Sequence, residues 1–137
     1  MTAKQYLKQL HTVDILVESK LEQIERLKSL RERVTSTITG MPHGSTSEGQ
    51  IADITARILE LEQEALDKIA ESVEMKAEAR RRIEAIEDAR YRAVLEARYL
   101  GNVRFDRIAL DMHYSLKQIY KLHGWALQRL KIPEKYV

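Results

Sequence analysis

The stretch Phe105–Leu130, FDRIALDMHYSLKQIYKLHGWALQRL, holds two amphipathic runs with a short turn between them. Phe105, Ile108, Ala109 and Met112 recur at helical spacing on one face. Ile119, Leu122, Ala126, Leu127 and Leu130 do the same in the second run. His113-Tyr114 is the turn, and Ser115 is a natural N-cap for the second run. His113 is expected in left-handed geometry, which His tolerates better than most side chains. Ala109 falls where two helices cross closely and only a small side chain fits. Ile119 then returns an anchor to the core. This is the spacing of a helix-turn-helix, with helices predicted over Arg104–Met112 and Leu116–Lys131 and Pro133 as the stop.

Working outward, a third short helix is predicted over Ala89–Tyr99, ended by Gly101-Asn102. Upstream lie two much longer amphipathic stretches. The first, from residue 3 to about 35 with Thr2 as N-cap, carries Leu7, Leu10, Val13, Val17, Leu21, Ile24, Leu27 and Val34 in steps of mostly three and four. The second, from about Ser47 to Ile86, carries Ile51, Ile54, Ile58, Leu61, Ala65, Ile69, Val73, Ala79, Ile83 and Ile86. Between them, Ser36–Glu48 concentrates Gly40, Pro42 and Gly44 with Ser and Thr and reads as a flexible loop. Two helices of similar length and composition joined by one loop form an antiparallel hairpin. The run Lys76–Arg92, with Arg80, Arg81 and Arg82, reads as a solvated face with pairs such as Glu78/Arg82.

The fold class expected is therefore all-α: a long, coiled-coil-like antiparallel helical hairpin over 1–87, then a trihelical helix-turn-helix module over 88–137. Composition agrees with that division. The chain has 137 residues and a net charge of +2, but the charge is uneven. Residues 1–88 carry 13 Lys and Arg against 17 Asp and Glu, whereas residues 89–137 carry 10 against 4. Tyr6 is the sole aromatic of the first part; seven aromatics lie in the second. A narrow stripe on so long a helix needs a partner along its length, so the hairpin is expected to hold a homo-oligomer, a dimer.

Other classes are excluded at this level. Five Gly and two Pro, none in residues 1–39 or 50–100, are too few turn residues for a sheet-rich fold. No Cys is present, so no disulfide framework or thiol nucleophile exists. No apolar run reaches membrane-spanning length, and the opening MTAKQYLKQLHTVDILVESK has no signal-peptide core. The expectation is a cytoplasmic protein without a membrane partner. His11, His43, His113 and His123 do not stand at metal-ligand spacings, and no phosphate-binding Gly loop occurs. No catalytic constellation, metal or cofactor is expected.

The basic, aromatic-rich part points instead to double-stranded DNA. The first turns of the helix starting at Ser115 would enter the major groove. Lys117, Gln118, Tyr120 and Lys121 project away from the Ile119/Leu122 face, with Ser115 beside them. Gln reads adenine edges, Lys reads guanine or neutralises phosphate, and Ser at a helix N-terminus binds phosphate. Arg104, Arg107 and Arg129 are expected to hold backbone phosphates around this face.

The segment Leu95–Lys131 resembles region 4 of sigma-70-type factors, through the pair Arg98-Tyr99, then Gly101, Ile108-Ala109, Ser115, Ile119 and the closing Ala126-Leu127 and Leu130. The whole chain resembles the sigma-region-4-like regulators of Gram-positive phages and prophages, akin to the ArpU and RinA late regulators. The resemblance implies binding to a phage promoter and control of late genes in a bacterial host, with host RNA polymerase as a further partner. Leu116 and Lys117 stand where sigma region 4 usually has Arg and Glu, and Trp125 where it usually has a basic residue, which points to a promoter of its own. Two other readings use the same elements. One is a DNA-packaging protein of the small-terminase type. The other is a region-4-like module that contacts polymerase without touching DNA.

Overall fold

The computed structural model describes residues 1–38 and 45–137, and every regular element among them is helical. Helix α1 spans Ala3–Ile38, α2 Ser45–Glu84, α3 Ala89–Leu95, α4 Phe105–Met112 and α5 Leu116–Arg129. A π-helical turn, Glu96–Leu100, continues α3, and a 3-10 turn, Glu134–Tyr136, follows α5. The expected all-α class is what the chain adopts.

Helix α1 runs past its predicted end near residue 35, whereas α2 starts two residues before the predicted Ser47 and stops two residues short of Ile86. Thr2 and Gln5 cap α1 reciprocally: Thr2 N–H donates to Gln5 Oε1 at 2.8 Å and Gln5 N–H to Thr2 Oγ1 at 3.1 Å. Near the other end, the Thr35 and Ser36 hydroxyls donate to the carbonyls of Arg31 and Glu32 one turn back, and the helix runs on to Ile38. Of the loop expected over 36–48, residues 36–38 and 45–48 are helical, and 39–44 lie outside the described residues.

The chain divides into two compact units, and the division differs from the expected boundary at 87/88. One unit joins Met1–Val13 to Ser72–Val137; the other is Asp14–Glu71. The first unit has two buried clusters. In one, Tyr6, Leu7 and Leu10 of α1 and Ala79, Ile83 and Ile86 pack with Leu95, Tyr99, Ala126 and Leu130. The other is the core of the helix-turn-helix: Val94, Ile108, Ala109, Ile119 and Leu122. The ends of the long helices thus supply half the floor on which α3 and α5 lie. At about 1.5–3 kcal/mol for each buried large aliphatic side chain, that floor is a main stabilising term.

The closing segment belongs to the same unit. Tyr6 Oη donates to Glu78 Oε1 at 2.9 Å, and the Tyr6 and Tyr136 rings are 5.5 Å apart. Lys135 Nζ reaches Glu78 Oε2 at 3.7 Å. Burial and the neighbouring carboxylate push the Tyr6 hydroxyl well above its ordinary range. Glu78, expected to pair with Arg82 on an exposed face, therefore serves a partly buried tyrosine.

In the second unit, Ile24, Ile58, Leu61 and Ala65 are buried, with Leu27 and Ile54 packed against them. Lys20 Nζ meets Glu64 Oε2 at 2.9 Å and Arg31 Nη1 meets Thr55 Oγ1 at 3.3 Å, so the two helices run antiparallel there. The predicted stripe is only partly inward. Leu21, Ile69 and Val73 are 46%, 40% and 62% exposed, whereas Ser72 is buried. Along α2 and just past its end, the inward line is Ile58, Ala65, Ser72, Ala79 and Ile86, a strict seven-residue repeat. A 3.5-residue seam departs from the 3.6-residue line that the apolar residues suggest. Leu59, Leu66, Ile69 and Val73 consequently form a second apolar stripe facing outward.

Candidate nucleic-acid interface

The turn before α5 is built by backbone geometry. His113 closes α4 in the left-handed conformation, φ 60° and ψ 39°, as its place in the sequence requires. Its N–H donates to Leu110 O at 3.3 Å, and Tyr114 N–H donates to Ala109 O at 3.0 Å. Both satisfy carbonyls that the end of α4 leaves open. Asn102 takes the same geometry, φ 54°, after Gly101 ends the π-helical turn.

Helix α5 then begins at a complete capping box. Gln118 N–H donates to Ser115 Oγ at 3.1 Å, and Ser115 N–H donates to Gln118 Oε1 at 2.9 Å. Ile119, Leu122, His123 and Ala126 turn inward. Ser115, Leu116, Lys117, Gln118, Tyr120, Lys121, Gly124, Trp125 and Gln128 are exposed. Lys117, Lys121, Gly124 and Gln128 recur at steps of three and four and mark the centre of the outward face. Neither lysine is in an ion pair among the described residues.

Of the sequence-predicted residues, Ser115, Lys117, Gln118 and Lys121 come together on the first two turns of α5. Gln118 carries a structural duty as well, since its amide oxygen is held by the cap. Tyr120 leans to one side, edge-on to Phe105 at 5.3 Å between centroids. Arg104 and Arg107 are exposed before and within α4, each beside a carboxylate of the same element: Arg104 with Asp106 at 3.5 Å, Arg107 with Asp111 at 3.2 Å. Pairs so exposed contribute little and exchange readily for a phosphate. Arg129 is not part of this group. It lies at the far end of α5, about 20 Å along the axis from Ser115, in a hollow with Ile86, Asp88 and Tyr91.

Sequence reading missed Arg90. Its guanidinium makes a two-point contact with Asp88, at 3.2 and 2.9 Å, while Asp88 also caps α3. The pair holds the Asp88 carboxyl down at about 2. A small hollow places Arg90 with Tyr114, Gln118, Lys121 and Trp125 along the other side of α5. No spacing rule connects Arg90 with residues so far along the chain; only the packing of α3 on α5 does.

A family model described as a protein of unknown function, DUF1492, matches residues 34–131, and the chain belongs to that family. No curated protein and no solved structure matches it.

Proposed function

We propose that this DUF1492 protein is a sequence-specific, double-stranded-DNA-binding transcriptional regulator that reads its site with the first turns of α5. The observation that carries the reading is the outward face of α5. It starts at a capped N-terminus and presents Lys117 and Lys121, which form no ion pair among the described residues, with Gln118 beside them. Exposed ammonium groups near a helix N-terminus suit phosphate, and a capped, well-packed helix suits insertion into a major groove. Arg104 and Arg107 add cations at the edge. The finer reading, a regulator of phage late genes that also meets host RNA polymerase in the bacterial cytoplasm, rests on the resemblance to sigma region 4. Among the described residues no helix is long and apolar enough to cross a membrane.

A second copy of the chain is the expected partner along α2. The outward stripe Leu59, Leu66, Ile69 and Val73 has the spacing of a second helical seam. Among the described residues, the Asp14–Glu71 unit has four buried apolar side chains of its own. Replacing Leu66 and Val73 by Glu yields a monomer in sedimentation, and a dimer that persists overturns this partner. A ring of eight or more copies would favour DNA packaging.

The test of DNA reading starts from fragments selected out of phage or host genomic DNA, measured by fluorescence anisotropy. Replacing Lys117 and Lys121 with Ala lowers affinity for the selected site without unfolding the chain. The slope of log affinity against log salt falls by about 0.9 for each phosphate that the variant no longer neutralises. Unchanged affinity and slope overturn the assignment.

A further inference from the structure

The Met1–Val13 and Ser72–Val137 unit holds a cleft of about 540 Å³, away from the outward face of α5. One wall is α1, which presents Lys4, Lys8 and His11 at steps of four and three. The opposite wall carries Arg98 from the π-helical turn, with Phe105, Tyr120 and His123. No acidic residue lines the cleft. Lys4, Lys8 and Arg98 form no ion pair among the described residues.

Arg98 is held in position. Its guanidinium lies 4.3 Å from the centre of the Phe105 ring, and Nη1 donates to Val103 O at 3.4 Å. The field of these cations is felt inside the wall. Burial first, then the positive charges of Lys4 and Arg98, hold the His123 imidazole well below its ordinary range. Cations gathered in a concavity without counter-ions repel one another until an anion enters. Beside them Tyr120, 53% exposed, offers an aromatic face of the kind on which bases stack. The size falls in the range of small-ligand sites, roughly 300–1,000 Å³.

We propose that this cleft binds a nucleotide, with Lys4, Lys8 and Arg98 on its phosphate and Tyr120 as the platform for its base. Both a free nucleotide and one nucleotide unit of a nucleic acid carry that chemistry. The site lies off the Lys117/Lys121 face and does not depend on what that face reads.

The experiment titrates the full chain with inorganic phosphate, AMP and a single-stranded oligonucleotide of arbitrary sequence while following the ring resonances of His123, Phe105 and Tyr120. AMP shifts all three saturably, and phosphate alone moves His123 while leaving Tyr120 in place. Replacing Lys4 and Lys8, both exposed, with Ala weakens AMP by roughly tenfold or more, as loss of a charge-assisted hydrogen bond requires. Tyr120→Ala weakens AMP but not phosphate. Saturation by AMP assigns a free nucleotide; saturation by the single strand alone assigns one nucleotide unit of a nucleic acid; both uphold the site. Silence in all three arms overturns it, as does a response unchanged by the Lys4 and Lys8 replacements. The Lys117→Ala, Lys121→Ala chain retains the AMP response, so failure of DNA reading by α5 and failure of this cleft are told apart.

Discussion

Tyr99 Oη and His123 Nε2 meet in a hydrogen bond of 2.7 Å, with their rings stacked at 5.7 Å between centroids. The pair ties the π-helical turn to the inner face of α5. Burial pushes the His123 imidazole down to about 4, with Lys4 and Arg98 adding to the effect, so the folded protein holds it neutral near pH 5. The unfolded chain takes up that proton near pH 6.5. Stability from this site is therefore complete above about pH 6.5 and declines as the pH falls toward 4. Thermal unfolding followed by circular dichroism from pH 7.5 to 4.5 gives a falling Tm, and His123→Gln flattens the curve across that window. Asp88 contributes above about pH 4 and loses that contribution only at lower pH. Its carboxyl is held down to about 2 in the folded chain, so its share is lost between about pH 4 and 2.

The reciprocal bonds between Ser115 and Gln118 give the start of α5 a structural role beside the proposed reading of DNA, and substitution can separate the two. Ser115→Ala removes the cap and lowers stability by about 1 kcal/mol. Gln118→Ala also weakens the cap, so its effect on DNA binding mixes two causes. Gln118→Glu keeps the box, since Glu serves at that position as well as Gln. The expected result in chemical denaturation is a midpoint near that of the parent, with DNA affinity reduced by the new negative charge. Retained affinity in Gln118→Glu would place Gln118 outside the DNA contact.

A fragment of residues 88–137 holds every residue of the helix-turn-helix motif but lacks the floor beneath it. Leu95, Tyr99, Ala126 and Leu130 pack against Tyr6, Leu7, Leu10, Ala79, Ile83 and Ile86, all outside the fragment. The fragment is expected to lose cooperative unfolding and near-ultraviolet signal. A sharp thermal transition from it would show that the Val94, Ile108 and Ile119 cluster suffices alone.

Gly124 lies inside α5, where an added Cβ meets nothing within 4 Å. Internal packing does not require a glycine there. Gly124→Ala is expected to raise stability by about 0.5–1 kcal/mol, the propensity difference in an exposed helix interior. The same methyl group sits on the Lys117, Lys121 and Gln128 face. A variant that is more stable and binds DNA more weakly marks a close approach of the partner to the backbone; stronger or equal binding removes Gly124 from the contact.

The helix-turn-helix was legible because local rules dictate it. An N-cap serine, a left-handed His113 and an apolar face with a small residue at the crossing all act over a few residues. The Leu116–Arg129 helix and its inward Ile119, Leu122 and Ala126 come directly from them, whereas the buried His123 does not. The unit boundary was not legible, because a boundary depends on what the ends of α1 and α2 pack against. The inward line through Ser72 was hidden for a related reason. A polar residue occupies a seam position while apolar Ile69 and Val73 face out. Arg129 was grouped with the DNA face by charge alone, and the rise of the helix carries it away. Lys4 and Lys8, neighbours on one turn of α1, meet the distant Arg98 only through folding.

The discontinuous make-up of the Met1–Val13 and Ser72–Val137 unit also dictates an order of assembly. The first turns of α1 leave the ribosome early, yet their partners Ile83, Leu95 and Leu130 are synthesised much later. Tyr6, Leu7 and Leu10 are not fully covered until Leu130 has emerged. Contacts between Lys20 and Glu64 and between Arg31 and Thr55 span much shorter separations, so loop closure favours them first. A nascent chain thus zips its antiparallel helices from the middle and seats its N-terminal turn last, when α5 arrives to cover it.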